Sequence, residues 1–201
     1  MYIPWKNWHF LEKVVCGAAF REKMSEQTGA NDYFLIKNKT SLQVSTDTRN
    51  LPIGCVFFAL HGLNFDGNKF AKQALQQGAY LAIIDDPEYT QPEGTLLVPD
   101  TLLALQELAR AWRRELGIPI IGVTGTNGKT TTKELLAAVL STKYNIHYTQ
   151  GNLNNQIGVP LTLLQLTRIH EMAIVEMGAS HPGDIRELVD IAEPNCGLIT
   201  N

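Results

Sequence analysis

An α/β fold in two unequal units is what the sequence predicts, on three observations. Short apolar runs alternate with segments of helical periodicity along most of the chain. One such run hands over, through a glycine-rich loop, to a helix rich in Ala and Leu. Hydrophobic residues make up 44% and charged residues 18% of 201 positions, enough apolar side chain for real cores and too much for a disordered chain. That length exceeds one compact domain and falls short of two large ones. A small N-terminal α/β unit, residues 1–116, followed by an incomplete parallel-sheet unit, residues 117–201, is therefore expected.

The elements follow in order. Trp8, Leu11, Val15, Ala18 and Ala19 share one face of a helix within Trp5 to Met24, which Gly29 and Asn31 break. Alternation from Leu42 through Val44 predicts a strand, and the polar run Ser45 to Asn50 a turn leading to Pro52 and Gly54. Val56 to Leu60 reads as a second strand. Phe70, Ala71, Ala74 and Leu75 form a helical face stopped near Gly78, and Tyr80 to Ile84 reads as a buried strand. A strand at Leu96 to Val98 leads to Asp100, a carboxylate suited to cap a helix that carries Leu105, Leu108, Ala109 and Trp112 and ends at Gly117.

In the second unit the apolar run Ile118 to Val123 is short enough for a central parallel strand. A helix from Lys129 to about Leu140, a strand at Asn145 to Tyr148 and a helix around Ile157 to Leu166 come next. A strand from Met172 to Glu176, a helix from Asp184 to Ala192 and a strand at Gly197 to Thr200 complete a repeated β–α winding. Asn201 then falls in or beside a central strand, where no natural domain end is expected.

Charge and composition narrow the function classes. A net charge of -3 leaves no excess of Lys and Arg to neutralise a nucleic-acid backbone or to meet an anionic membrane surface, so no nucleic-acid partner is expected. No run of about 18 apolar residues and no signal-peptide pattern at residues 1–10 occurs, so neither membrane insertion nor export is expected. Cys16, Cys55 and Cys196 are odd in number and far apart, which fits neither a disulfide framework nor a zinc site and suits a reducing cytoplasm.

Chemistry concentrates in Gly122-Val123-Thr124-Gly125-Thr126-Asn127-Gly128-Lys129-Thr130-Thr131, where strand gives way to helix. Glycines let backbone N–H groups face an anion, the helix N-terminus adds partial positive charge, and Lys129 supplies a full one. This reads as a phosphate-binding loop, P-loop in type, with Thr130 placed to hold Mg²⁺ through its hydroxyl. The general pattern asks for Gly where this chain has Val123. A glycine-rich turn with an exposed lysine is the plain alternative. Glu176 ends an apolar strand on the edge where ligands collect in open α/β sheets, and can ligate a cation there or simply face water. Gly151 to Pro160 crowds amides and glycines, among them Asn154 and Asn155, at the start of a helix, and fits phosphate or sugar contact as well as ordinary turn and capping roles. Ser45, Thr46, Asp47 and Arg49 gather hydroxyls, a carboxylate and a guanidinium in one turn, and Asn64 to Asn68 is a second; their residue types are those of ordinary turns first, and a nucleotide-linked substrate site with Arg49 as its phosphate partner is the functional alternative. His9, His61, His147, His170 and His181 have no zinc spacing, and only His181 lies near the loop's presumed site.

Taken together, residues 45–49, 57–62, 66–70, 124–130, 151–160 and 176–179 resemble the Mur ligase family from about Val44 to Asn201. The resemblance implies ATP-dependent amide synthesis in peptidoglycan assembly. A UDP-linked tripeptide carboxylate is phosphorylated, and the amine of D-alanyl-D-alanine attacks the acyl phosphate. It implies that Gly125, Thr126, Asn127, Gly128, Lys129, Thr130 and Thr131 bind ATP, that Thr130 and Glu176 hold Mg²⁺, and that Lys129, Asn155 and Glu176 are catalytic. Ser45, Thr46, Asp47, Arg49, Asn154 and Asn155 are implied in the UDP-N-acetylmuramoyl-tripeptide site, and a cytoplasmic monomer is expected. The member adding the third amino acid is the alternative, less suited to Gly151 to Pro160, and folylpolyglutamate synthase fits less well again. Family members continue past Thr200-Asn201 with the rest of the ATPase domain and a C-terminal domain, so the chain as given also fits a non-catalytic UDP-sugar and nucleotide-binding module.

Overall fold

The structure, a computed structural model, describes residues 43–62 and 64–201. The helix expected within Trp5 to Met24, its break at Gly29 and Asn31, the strand start at Leu42, and His9 and Cys16 lie outside the described residues. The chain divides into two compact units, Met1–Leu105 and Gln106–Asn201.

In the first unit, β1 (Val44–Ser45), β2 (Val56–Phe58), a small hairpin of β3 (His61–Gly62) and β4 (Phe65–Asp66), helix α1 (Ala71–Gln76), β5 (Leu81–Ile84) and β6 (Thr95–Leu97) follow one another, and α2 (Thr101–Leu116) begins. The strands β1-β2-β5-β6 form a wholly parallel sheet, which the apolar runs of β2 and β5, buried on both faces, require. Cys55, Phe57, Ala59, Ala71, Ala74, Ala82 and Ile84 make its core. Asp100 starts α2 as expected, its Oδ1 accepting the Leu103 amide at 2.7 Å. The second strand is shorter than Val56 to Leu60, because after Phe58 the chain turns into the hairpin, and Asp66 then accepts the Asn68 amide at 3.0 Å to open a 3-10 turn, Gly67–Phe70.

The second unit runs β7 (Ile120–Gly125), α3 (Lys129–Leu140), β8 (Ile146–Tyr148), α4 (Gly158–Leu164), β9 (Met172–Glu176), α5 (Asp184–Ala192) and β10 (Cys196–Thr200). Its parallel sheet has the order β10-β7-β9-β8. The chain therefore leaves β7 toward β9 and β8 on one side and returns to its other side as β10, which opens a crevice at the C-terminal end of β7. Val123, Ala137 and Ile174 centre the core, with Ile121, Leu136, Leu140 and Tyr148 against them. Arg113, buried, closes the end of α5 by donating to the carbonyls of Ala192 (3.1 Å) and Glu193 (2.8 Å) and to Asn195 Oδ1 (3.1 Å).

His147 on β8 packs against His170 with ring centroids 5.4 Å apart, and its buried Nε2 has no hydrogen-bond partner among the described residues. Burial, reinforced by His170, pushes the His147 pKa down to about 4, and burial lowers that of His170 as well. The unfolded chain therefore binds more protons than the folded one below the ordinary histidine value of 6.5, and stability falls as pH drops from there toward 4. The denaturation midpoint is expected to decline between pH 6.5 and 5, above the carboxylate range, and His147→Phe is expected to flatten that slope. An unchanged slope in the variant would assign the effect elsewhere.

Candidate functional site

The glycine-rich loop after β7 and Glu176 come together because β7 and β9 are neighbours. Their register pairs Val123 with Glu176, so the last residue of β9 lies beside the start of the loop. Gly125 has φ +137° and Gly128 φ +79°, backbone that L side chains rarely adopt, and Thr126, Asn127 and Gly128 are exposed. A Cβ on Gly125 would overlap the carbonyl and hydroxyl oxygens of Thr200. The loop is also held from β10: Thr200 Oγ1 donates to the Asn127 carbonyl at 2.5 Å, and the Asn127 amide donates to the Asn201 carbonyl at 2.5 Å.

Lys129 opens α3, and its ammonium curls over the loop to the carbonyls of Gly125 (2.6 Å) and Thr126 (3.3 Å). The cation thus already lies where the loop would meet an anion. Thr130, one residue on, donates its hydroxyl to Glu176 Oε2 at 3.1 Å and lies 3.3 Å from Oε1. Glu176 is only 2% exposed, not the water-facing strand end that its position also allowed. Its Oε1 accepts from Asn154 Nδ2 at 3.0 Å, and the Asn154 carbonyl accepts the Gly178 amide at 2.7 Å.

One carboxylate and one hydroxyl converge beside the loop, and among the described residues no group of three or more His, Cys, Asp and Glu side chains is placed to hold a metal ion. Such a sparse oxygen set suits a hard cation that takes its remaining ligands from phosphate and water, as Mg²⁺ does, and does not suit zinc.

Other expected residues take different places. Asn155 is exposed, and its Oδ1 accepts the amides of Ile157 (3.1 Å) and Gly158 (2.8 Å) where α4 opens. His181 is exposed, with its Nδ1 3.8 Å from Asp184 Oδ2. In the first unit, Ser45 Oγ donates to the Asp47 carbonyl at 2.9 Å, and the Asp47 carboxylate holds Arg49 Nε at 3.0 Å and Nη2 at 2.6 Å. The Arg49 hydrogen bonds hold the Asp47 carboxyl down at about 2, so the pair is fully ionised on an exposed turn after β1. Thr46, in the same turn, is half-buried.

Two features escaped the sequence reading. Lys133 is buried against Glu176, at a position whose spacing to Leu136, Ala137 and Leu140 is that of the core-facing stripe of α3; that periodicity was the available signal. Asp85, just after β5, gathers Asn68 Nδ2 (2.8 Å), the Thr101 amide (3.0 Å) and hydroxyl (2.9 Å) and His61 Nδ1 (3.0 Å). Burial raises its carboxyl, but the hydrogen bonds from Asn68 and Thr101, with His61 beside it, hold it below the usual range. No local pattern pointed to Asp85, since its partners lie far apart in the chain.

Comparison with known proteins adds to this geometry. Residues 43–123 match the model of the Mur ligase family, catalytic domain, and residues 123–201 that of the Mur ligase middle domain. A UDP-N-acetylmuramoyl-tripeptide--D-alanyl-D-alanine ligase of Synechocystis is 53% identical over 160 residues, 79% of this chain and 35% of the relative. Among solved structures, MurF from Acinetobacter baumannii superposes with a TM-score of 0.73 at 39% identity, over 78% of this chain and 35% of that one. The MurF ligase of Thermotoga maritima, solved in complex with ADP, gives 0.70 at 36% identity, over 79% and 37%. The chain thus spans about a third of the length of these relatives.

Proposed function

The chain belongs to the Mur ligase family, and from that premise we propose that it carries two parts of an ATP-dependent ligase. Residues 1–116 would recognise the UDP-N-acetylmuramoyl-tripeptide, and residues 117–201 would form the first part of a domain that seats the ATP phosphates. The whole enzyme would join D-alanyl-D-alanine to the tripeptide in peptidoglycan synthesis in the cytoplasm. The observation that carries this reading is the Thr130 hydroxyl within 3.1 Å of the buried Glu176 carboxylate, one residue from the loop lysine.

The residues divide the work. Lys129 and the backbone N–H groups of the loop up to Thr131 would bind and orient the phosphates, whose oxygens would replace the two loop carbonyls that now accept from the ammonium. Thr130 and Glu176 would hold Mg²⁺, which supplies charge neutralisation at nucleotide oxygens when bound. Asn154 fixes the Glu176 carboxylate, and Asn155 sets the start of α4, contributing to the site through the loop it shapes. The substrate carboxylate would take the γ-phosphoryl group, ADP departing. The dipeptide amine would then attack the acyl phosphate, and collapse of the tetrahedral intermediate would expel phosphate and leave an amide. ATP and the UDP-linked tripeptide are both anionic, so cationic clamping must precede their approach. In the first unit Ser45, Thr46, Asp47 and Arg49 would meet the UDP portion, Asp47 holding the guanidinium of Arg49 in a fork suited to a diphosphate.

Calorimetry with the UDP-linked tripeptide and with Mg-ATP tests the two assignments separately. Arg49→Ala is expected to weaken the first ligand by about tenfold, the worth of one charged hydrogen bond, without changing the second. Equal affinity of Arg49→Ala and the parent chain for the UDP ligand, or no binding by the folded parent, would overturn the substrate assignment.

A further inference from the structure

Lys133 presents a buried ammonium that the loop chemistry leaves unexplained. Its side chain is 1% exposed and that of Glu176 3%, with Nζ 3.6 Å from Glu176 Oε2. The same Nζ donates to the Thr149 carbonyl at 2.8 Å, lies 3.2 Å from Glu134 Oε1, and stands 5.8 Å from the centre of the Tyr148 ring. Thr149, fully buried, accepts the Glu176 amide on its Oγ1 at 2.9 Å. Lys133, Thr149 and Glu176 therefore close a ring that ties α3, the segment after β8 and the end of β9 at one point.

We propose that Lys133 is a positioning residue, whose buried ammonium fixes the Glu176 carboxylate against Thr130 as a preset ligand for the nucleotide's divalent cation. Among the described residues, three groups hold the carboxylate: Thr130, Asn154 and Lys133. Of these only Lys133 carries charge. A carboxylate in so closed a place without a counter-charge turns toward any other donor or toward water, and a ligand that has moved no longer meets a cation in register with the loop. Groups that orient a metal ligand through hydrogen bonds and charge act in this way when they touch neither metal nor substrate. Lys129, by contrast, lies on the loop carbonyls, so the two lysines of α3, one turn apart, divide the work between anion and carboxylate.

The inference rests on the nucleotide reading above, and its test separates the two. ADP binding is measured by calorimetry with and without Mg²⁺, for the parent chain, Lys133→Met, Glu176→Gln and the double variant, each checked for folding by circular dichroism. Lys133→Met is expected to keep most of the metal-free ADP affinity and to lose about tenfold or more of the affinity that Mg²⁺ adds. If Lys133 acts through Glu176, the double variant will show no further loss beyond Glu176→Gln. That comparison stands even if Lys133→Met alone does not fold, since the double variant removes the unpaired buried charge as well. A Mg²⁺ gain in Lys133→Met equal to or larger than the parent's, or a double variant whose losses add, overturns the role of Lys133 alone. A folded parent chain with no Mg²⁺-linked ADP binding overturns that role and the nucleotide reading together.

Discussion

Gly125→Ala is expected to destabilise the protein more than any exposed substitution near the loop, by on the order of 4 kcal/mol, the upper range for a single change. Two costs add. The residue sits at φ +137°, where an L side chain is strained, and a Cβ would run into the carbonyl and hydroxyl oxygens of Thr200 on the paired strand β10. Those oxygens cannot move cheaply, because the Thr200 hydroxyl holds the Thr124 and Asn127 carbonyls at 3.2 and 2.5 Å. Thermal unfolding should show a midpoint lowered by roughly 10 °C for a chain of this size. Gly62→Ala, where a Cβ meets none of the described residues within 4 Å, is the control and should shift little. Equal midpoints for the two variants would mean that the loop's left-handed glycine is not what ties β7 to β10.

Much of the second unit was legible residue by residue. Helix α3 begins at Lys129 because a left-handed glycine precedes it, and β9 is one uninterrupted apolar run that ends on a carboxylate. Both signals are local. The α4 helix came out shorter than Ile157 to Leu166, since after Leu164 the Leu166 amide reaches back only to the Leu163 carbonyl and the turn tightens. The hairpin β3–β4 carried no pattern, because two-residue strands exist only through their pairing. The neighbourhood of Glu176 was half visible. Its place beside the loop followed from parallel winding, whereas its burial and its three partners depend on residues 22, 43 and 46 positions away, counting Asn154, Lys133 and Thr130. Lys133 stayed hidden for a further reason: residue type suggests solvent, and only the helical period places it inward.

Lys129→Ala carries the other large effect. The ammonium now spends its hydrogen bonds on the Gly125 and Thr126 carbonyls, a holding position that a phosphate would take over with a charge-assisted bond. Such a bond is worth about 1.5 to 3 kcal/mol, so nucleotide affinity should fall by roughly tenfold to a hundredfold. Fold and loop geometry should survive, since Lys129 is only half-buried and its partners are exchangeable with water. Following the backbone amide signals of ¹⁵N-labelled protein during titration with Mg-ADP tests the electropositive loop most directly. The parent chain should shift the amides of Thr126 to Thr131 together with that of Glu176, and Lys129→Ala should need at least ten times more nucleotide for the same shift. Amides of the loop that stay in place at saturating nucleotide, or titrate identically in parent and variant, would contradict the account.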